Sequence, residues 1–276
     1  MTAPDPGLER FRHADTGVLL PVPAQGAAVR AYIRRDTGPG STAHLNRFPA
    51  QPFCTVTWFL SGTVHDGVSA AAPVLDAVVV GGPFTRPAST FSAGRIHAFT
   101  VVFFPDAFAR LASLAPASLA DRLLPAREVL PASWHSLLDE VAAAGDDGAR
   151  VACLSAFVAA TGEVAAAPGL PWLRRLREAA GFDRLCERQA ERRIRRATGQ
   201  SLRALRRAQR LETALLDARE AAAQGTLHWA TLADANDFSD QPHLGRECRK
   251  LAGTAPAELI DRQAHDESYW LFRCWR

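Results

Sequence analysis

The chain has 276 residues, an apolar fraction of 47%, a charged fraction of 22% and a formal charge of +3, a length that sets an expectation of about two domains. No run approaches the ~18 apolar residues of a membrane span, and the opening MTAPDPGLERFRH lacks a secretory layout, so the expected setting is the cytoplasm, with no membrane partner. Cys54, Cys153, Cys186, Cys248 and Cys274 form no C-x-x-C pair, which suits neither a disulfide framework nor a zinc site.

In the first hundred residues, "TVTWFL" (55–60), "AVVVGG" (77–82) and "HAFTVVFF" (97–104) are rich in β-branched and aromatic residues and punctuated by Gly or Pro, which predicts short strands. From Pro105 the apolar residues recur at three- and four-residue steps, predicting helices over 105–114, 134–144 and 149–164 that cover or close the β portion. "AAAPGLP" (165–171) reads as a linker, dividing a β-rich domain over 1–164 from a helical one over 172–276. In the second, Ser201 is the predicted N-cap of a long helix ending before Gly225, its apolar stripe running through Leu202, Leu205, Leu211 and Leu215.

Charge is divided unevenly. Between Arg174 and Arg210 stand 13 Arg against 4 acids, a local +9, the kind of focused positive field that attracts polyanions. The bland alternative is a solvated helix face.

A repeat sharpens the reading. "RQAERRIRRATG" (188–199) aligns with "PHLGRECRKLAG" (242–253) at an offset of 54 residues, matching Arg192 with Arg246, Arg195 with Arg249 and Gly199 with Gly253. Apolar places coincide as well: Ala190 with Leu244, Ile194 with Cys248, Ala197 with Leu251. Before the second copy, "TLADANDF" (231–238) predicts a short helix and a turn, followed by Ser239 as cap, the outline of a helix-turn-helix.

"LADANDFSDQPHLGRECRKLAGTAPAEL" resembles the second helix-turn-helix of the AraC/XylS transcription regulators, through Phe238, Ser239, Asp240, Gln241, His243, Leu244, Arg246, Arg249, Gly253 and Pro256. "CERQAERRIRRATGQSLRALRRAQRLETAL" resembles the family's first unit and linker helix, through Arg188, Arg192, Gly199, Ser201 and Arg210, with departures at Cys186 and Ile194. In the second copy Asp237 stands where the family has a turn glycine, and Pro242 where it has a polar side chain. The resemblance covers roughly Pro171 to Glu258. It implies an α+β fold: a small-barrel, cupin-like N-terminal domain with flanking helices, and an all-α domain of tandem helix-turn-helix units. It also implies double-stranded DNA and the transcription machinery as partners, a small-molecule effector, and a homodimer as one assembly. Two recognition helices about 34 Å apart would enter successive major grooves on one face of B-DNA.

Long polar side chains early on each recognition helix are the ones that grip base edges. Arg188, Glu191 and Arg192 on the first helix, and Gln241, His243 and Arg246 on the second, are therefore the expected base readers. Arg195, Arg196, Arg249 and Lys250 are the expected phosphate contacts, which position without specifying. In the β portion His13, His44, His65, His97 and His135 are scattered and no catalytic motif appears, so no catalytic residue, metal or cofactor is expected. Trp58, Phe99 and Phe103 lie on predicted strands as candidates to line an effector pocket, plain core being the alternative. The rival reading is a DNA-repair or base-modifying enzyme carrying a similar DNA-binding half; it requires a reactive Cys or a metal cluster beside the β domain, and Cys54, between Phe53 and Thr55 with no Cys partner nearby, does not look activated. A scaffold binding protein partners is the third.

Overall fold

The computed structural model describes residues 16–21, 26–161, 172–181 and 186–274. Its strands are β1 (Thr16–Leu19), β2 (Val29–Asp36), β3 (His44–Phe48), β4 (Cys54–Ser61), β5 (Val64–His65), β6 (Val78–Gly81), β7 (Ala88–Ser92), β8 (His97–Phe103) and β9 (Leu123–Pro125). They pair antiparallel throughout, as a six-stranded sheet in the order β1-β2-β8-β4-β6-β9 and a three-stranded sheet in the order β3-β7-β5. The expected barrel thus takes the form of two sheets facing each other across a cavity, hydrogen-bonded as separate ladders.

Successive strand side chains point to opposite faces, and both faces of the larger sheet are covered. One face carries Tyr32, Val56, Trp58, Phe99, Val101 and Phe103, all buried against helices α1 (Pro105–Ala112), α3 (His135–Ala143) and α4 (Asp147–Ala160). A single turn, α2 (Ala126–Val129), precedes α3. Two buried indoles find acceptors: Trp58 Nε1 donates to Leu138 O and Trp134 Nε1 to Leu111 O, each at 3.0 Å. A buried aromatic with a satisfied N–H is worth much; truncating Trp58 to Ala would cost about 3–5 kcal/mol. Asp146 starts α4 by accepting from Ala149 N at 2.8 Å. Gly82 is obligatory, because a Cβ there would lie 2.0 Å from Leu119 O.

The helical half contains α5 (Trp172–Ala180), α6 (Glu187–Thr198), α7 (Leu202–Ala223), α8 (Trp229–Ala235), α9 (Gln241–Ala252), α10 (Pro256–His265) and α11 (Trp270–Arg273). The 54-residue repeat is structural: α6 and α9 both run 12 residues, burying Ala190, Ile194 and Thr198 in one and Leu244, Cys248 and Ala252 in the other. Both stop at a glycine in the left-handed region, Gly199 at φ 72° and Gly253 at φ 81°, which only glycine adopts without cost. Ser201 caps α7 as expected, accepting from Ala204 N at 3.1 Å. At α9 the cap is Asp240, which accepts from His243 N at 2.5 Å, and the expected cap Ser239 is drawn instead to the His243 ring. The linker expected at 165–171 lies outside the described residues.

Two separate cores hold the helical half. Leu202 and Leu205 of α7 pack with Leu173, Leu176 and Ile194 around the first unit. Leu211, Ala214, Leu215 and Ala218 pack with Leu232, Phe238, Leu244 and Leu259 around the second.

Candidate nucleic-acid interface and ligand cavity

On α6, Arg188, Arg192, Arg195 and Arg196 are exposed. Glu191 is half-buried, and its Oε1 accepts from Leu202 N at 3.1 Å, satisfying an orphan donor at the start of α7. Its carboxylate therefore has a partner within the fold.

On α9, Gln241, Arg246, Arg249 and Lys250 are exposed. His243 is half-buried, its Nδ1 lying 3.0 Å from Ser239 Oγ and its ring edge-on to Phe238. Lys250 Nζ lies 2.9 Å from Glu247, a buried carboxylate that also meets Arg207 Nε of α7 at 3.3 Å. Burial alone would raise the Glu247 carboxyl, but the Lys250 hydrogen bond and the charges of Lys250 and Arg207 hold it below its usual range. Lys250 thus anchors the inner side of α9 as well as presenting charge. Arg210 clamps the turn of the second unit, donating to Asp237 O at 2.9 Å and lying 4.5 Å over the Phe238 ring. That clamp holds Asp237 in the left-handed region at φ 56°, the position of a turn glycine.

The cavity between the sheets has a volume of about 410 Å³. Its floor is the second face of the six-stranded sheet, with Ile33, Thr57, Phe59, Ala98, Thr100 and Val102. Phe48, Ala88 and Thr90 of the smaller sheet roof it, and Trp270, Leu271 and Cys274 from the end of the chain close one side. Trp58, Phe99 and Phe103, the sequence candidates for this pocket, do not line it: they belong to the core under the helices. The reason is the period of two. On β8 the large aromatics at 99 and 103 face the helices, leaving Ala98, Thr100 and Val102 for the cavity.

Three arginines, Arg30, Arg35 and Arg86, line the cavity. Arg35, only 4% exposed, donates to Thr16 Oγ1 at 2.9 Å and to Glu267 at 2.5 Å, with its guanidinium 4.8 Å over the Trp270 ring. Burial tends to raise the Glu267 carboxyl, yet bonds from Arg273 and Arg35 hold it below its usual range. A register shift between Val29 and Ala31 turns Arg30 to the cavity side as well, where it stacks 4.3 Å over Phe53 and pairs with Glu212 of α7. Burial raises the Glu212 carboxyl against the opposing pull of Arg30. Sequence reasoning missed Arg35, Asn46 and Trp270, since none sits in a motif. The aromatic run "ESYWLFRCW" (267–275) was the available signal, as aromatics that crowd into so short a segment usually cover something.

Burial keeps three of the five thiols protonated, while Cys153 is half-buried and Cys186 exposed. Cys54 is fully buried and burial pushes its thiol far up, while burial also raises Cys248 to about 12 and Cys274 to about 11. Among the described residues no three His, Cys, Asp or Glu side chains gather where a metal ion would sit. None of their helices is long and apolar enough to cross a membrane.

No family model matches the chain, and no curated protein matches it. Among solved structures it is similar to ToxT from Vibrio cholerae in a P21 crystal form, at 12% identity over 80% of this chain and 97% of that one, with a TM-score of 0.37. ToxT from Vibrio cholerae O395 bound to (E)-4-(8-methylnaphthalen-1-yl)but-3-enoic acid gives 12% identity, 80% and 98% coverage and a TM-score of 0.37. Unsaturated fatty acid bound ToxT from strain SCE256 gives 10% identity, 82% and 96% coverage and a TM-score of 0.35. Superpositions this loose say nothing about a shared ligand or role.

Proposed function

We propose that the chain is a sequence-specific DNA-binding transcriptional regulator whose β half, residues 1–164, takes a small, largely apolar effector, and whose helical half, residues 172–276, reads DNA. The observation that carries this reading is the repetition of α6 in α9: two 12-residue helices with the same buried positions, the same left-handed glycine and exposed arginines on the side away from the core. A reader of two successive major grooves uses such a unit at each of them. Arg188, Arg192, Gln241 and Arg246 are the best-presented base readers, and Arg195, Arg196 and Arg249 the phosphate contacts. Glu191 and His243 are held inside the fold and are assigned a supporting role.

The cavity supports the effector half of the reading. Its volume of about 410 Å³ falls in the range of small-molecule pockets, and its walls are apolar with a few polar groups. A ligand's polar end would face Arg35 and Asn46. Against Cys54 as a reactive thiol stands its burial, which keeps the proton on it.

The experiment is to hold the full chain on a support, pass fragments of its own genome over it at moderate salt and sequence what is retained. A shared motif of two half-sites supports the reading. The affinity for such a site should fall with a log-log salt slope of about −5 if about six phosphates are neutralised. Retention without any common sequence, or a flat salt response, would overturn it.

A further inference from the structure

The two reading units share no core. Leu202 and Leu205 anchor α7 in the first, Leu211 and Leu215 in the second, and the stretch 206–210 between them adds to neither apolar core, being tied to the second unit only by the polar contacts of Arg207 and Arg210. A single helix would thus carry the whole task of holding α6 and α9 in register, and helices of this length bend.

The β half meets α7 beside this stretch, where Arg30 pairs with Glu212. Ala50, Pro52 and Phe53, in the loop before β4, face Ala208 and Gln209 in the middle of α7. The same loop donates Ala50 N to Leu251 O of α9 at 2.7 Å. It also pairs with the loop before β7 through Gln51 and Phe84, whose amide and carbonyl exchange bonds of 2.8 Å and 2.9 Å. Onto this pair of carbonyls Gln200, just past α6, lays its side-chain amide, at 3.4 Å from Gln51 O and 3.3 Å from Phe84 O. Even the terminal glycines face this side: a Cβ added at Gly199 would lie 3.5 Å from Ala117, and one added at Gly253 would lie 3.6 Å from Pro87. The rim therefore holds the C-terminal ends of both helices and leaves their exposed arginines clear.

We propose that this rim is a positioning element of the DNA reader: it braces α7 between the two units and fixes the separation of α6 and α9, so that the β half selects the spacing between half-sites. The proposal rests on the DNA-binding reading above. Gln51, Phe84 and Pro87 also line the cavity, so an occupant would press on the residues that set the spacing.

The test uses the full chain and duplexes it selects from a random pool, re-made with two base pairs added or removed between the half-sites. The wild-type chain should lose affinity about tenfold on either change, a loss of about 1.4 kcal/mol. Gln200→Ala, which removes the amide, and Pro87→Ala, which trims the seat of Gly253, should flatten that loss to about threefold. Both should keep wild-type affinity for an isolated half-site and the same base preference within it. A merely structural role would lower half-site affinity and melting temperature together, leaving the spacing profile unchanged, and that outcome overturns the proposal. Two variants at separate contacts guard against one failing to fold. A wild-type chain that retains no duplex overturns the DNA reading and this proposal with it; one that binds DNA with a spacing profile shared by both variants overturns the brace alone.

Discussion

Trp270 Nε1 donates to Asn46 Oδ1 at 3.0 Å, joining the last helix of the chain to the smaller sheet across 224 residues of sequence. Asn46 is itself fixed by its amide, which donates to Ser92 Oγ at 3.0 Å and Thr90 Oγ1 at 3.3 Å, so the acceptor is presented in one orientation. The indole closes the cavity and covers Arg35 in one stroke. Trp270→Phe keeps most of the apolar bulk but strands a buried acceptor, an expected loss of about 1–3 kcal/mol in denaturant unfolding. Asn46→Ala should cost less when added to Trp270→Phe than alone, because the partner is already gone.

Glu267 gives the same junction a pH dependence. Its carboxyl is held below the usual 4.5 by bonds from Arg273 and Arg35 that outweigh burial. A carboxyl with a depressed folded pKa stabilises the fold above its unfolded value, and that stabilisation is lost as pH falls through the folded one. Glu267→Gln resembles the protonated form. The variant should therefore melt below wild type at neutral pH, with the gap closing as pH is lowered past 4.5. An equal gap at all pH values would mean that the ion pair is unlinked to folding.

The turn of the second unit should respond to backbone shape. Asp237 sits at φ 56°, where a β-branched residue is strained by about 1–2 kcal/mol. Asp237→Val should lower stability by that amount, and Asp237→Gly should leave it unchanged or raise it by a few tenths of a kcal/mol. Thermal melts of the full chain measure both.

The helical half was legible from the sequence because its signals are local. The three- and four-residue apolar steps, Ser201 and the paired glycines each act within one or two turns of helix, and α6, α7 and α9 begin and end close to where those signals put them. The cap at α9 moved by one residue, since Ser239 and Asp240 are both good caps and only the His243 ring decides which is free. The cavity was hidden for a different reason. A strand such as β8, covered on both faces, shows a near-continuous apolar run, so its alternation does not reveal which face meets the helices. Nor does any local pattern announce that Arg35 will meet Glu267, or that the loop at Ala50 will meet α9.

Glu191 separates two roles by experiment. If its carboxylate serves chiefly to satisfy Leu202 N, Glu191→Ala should destabilise the first unit by about 1 kcal/mol, as loss of a cap does. The sequence preference of the retained DNA should not change. A shift in preferred base with unchanged stability would instead restore Glu191 as a base reader.

Arg192 and Arg246 occupy equivalent places 54 residues apart, both exposed on the first half of their helices. Each is long enough to grip guanine O6 and N7 together, so Arg192→Ala and Arg246→Ala should each cost about 1–3 kcal/mol on the selected site. The two losses should relax base preference at different positions, about one helical turn apart. Arg249, exposed in the last turn of α9 and farther from the helix start, should behave otherwise. Arg249→Ala should weaken every sequence alike and reduce the magnitude of the salt slope by about 1. Quantitative binding to the selected site, to single-base variants and to random duplex over a range of salt distinguishes the two behaviours. If Arg192→Ala and Arg246→Ala lose random and selected DNA equally, both side chains are phosphate clamps, and base reading passes to Arg188 and Gln241.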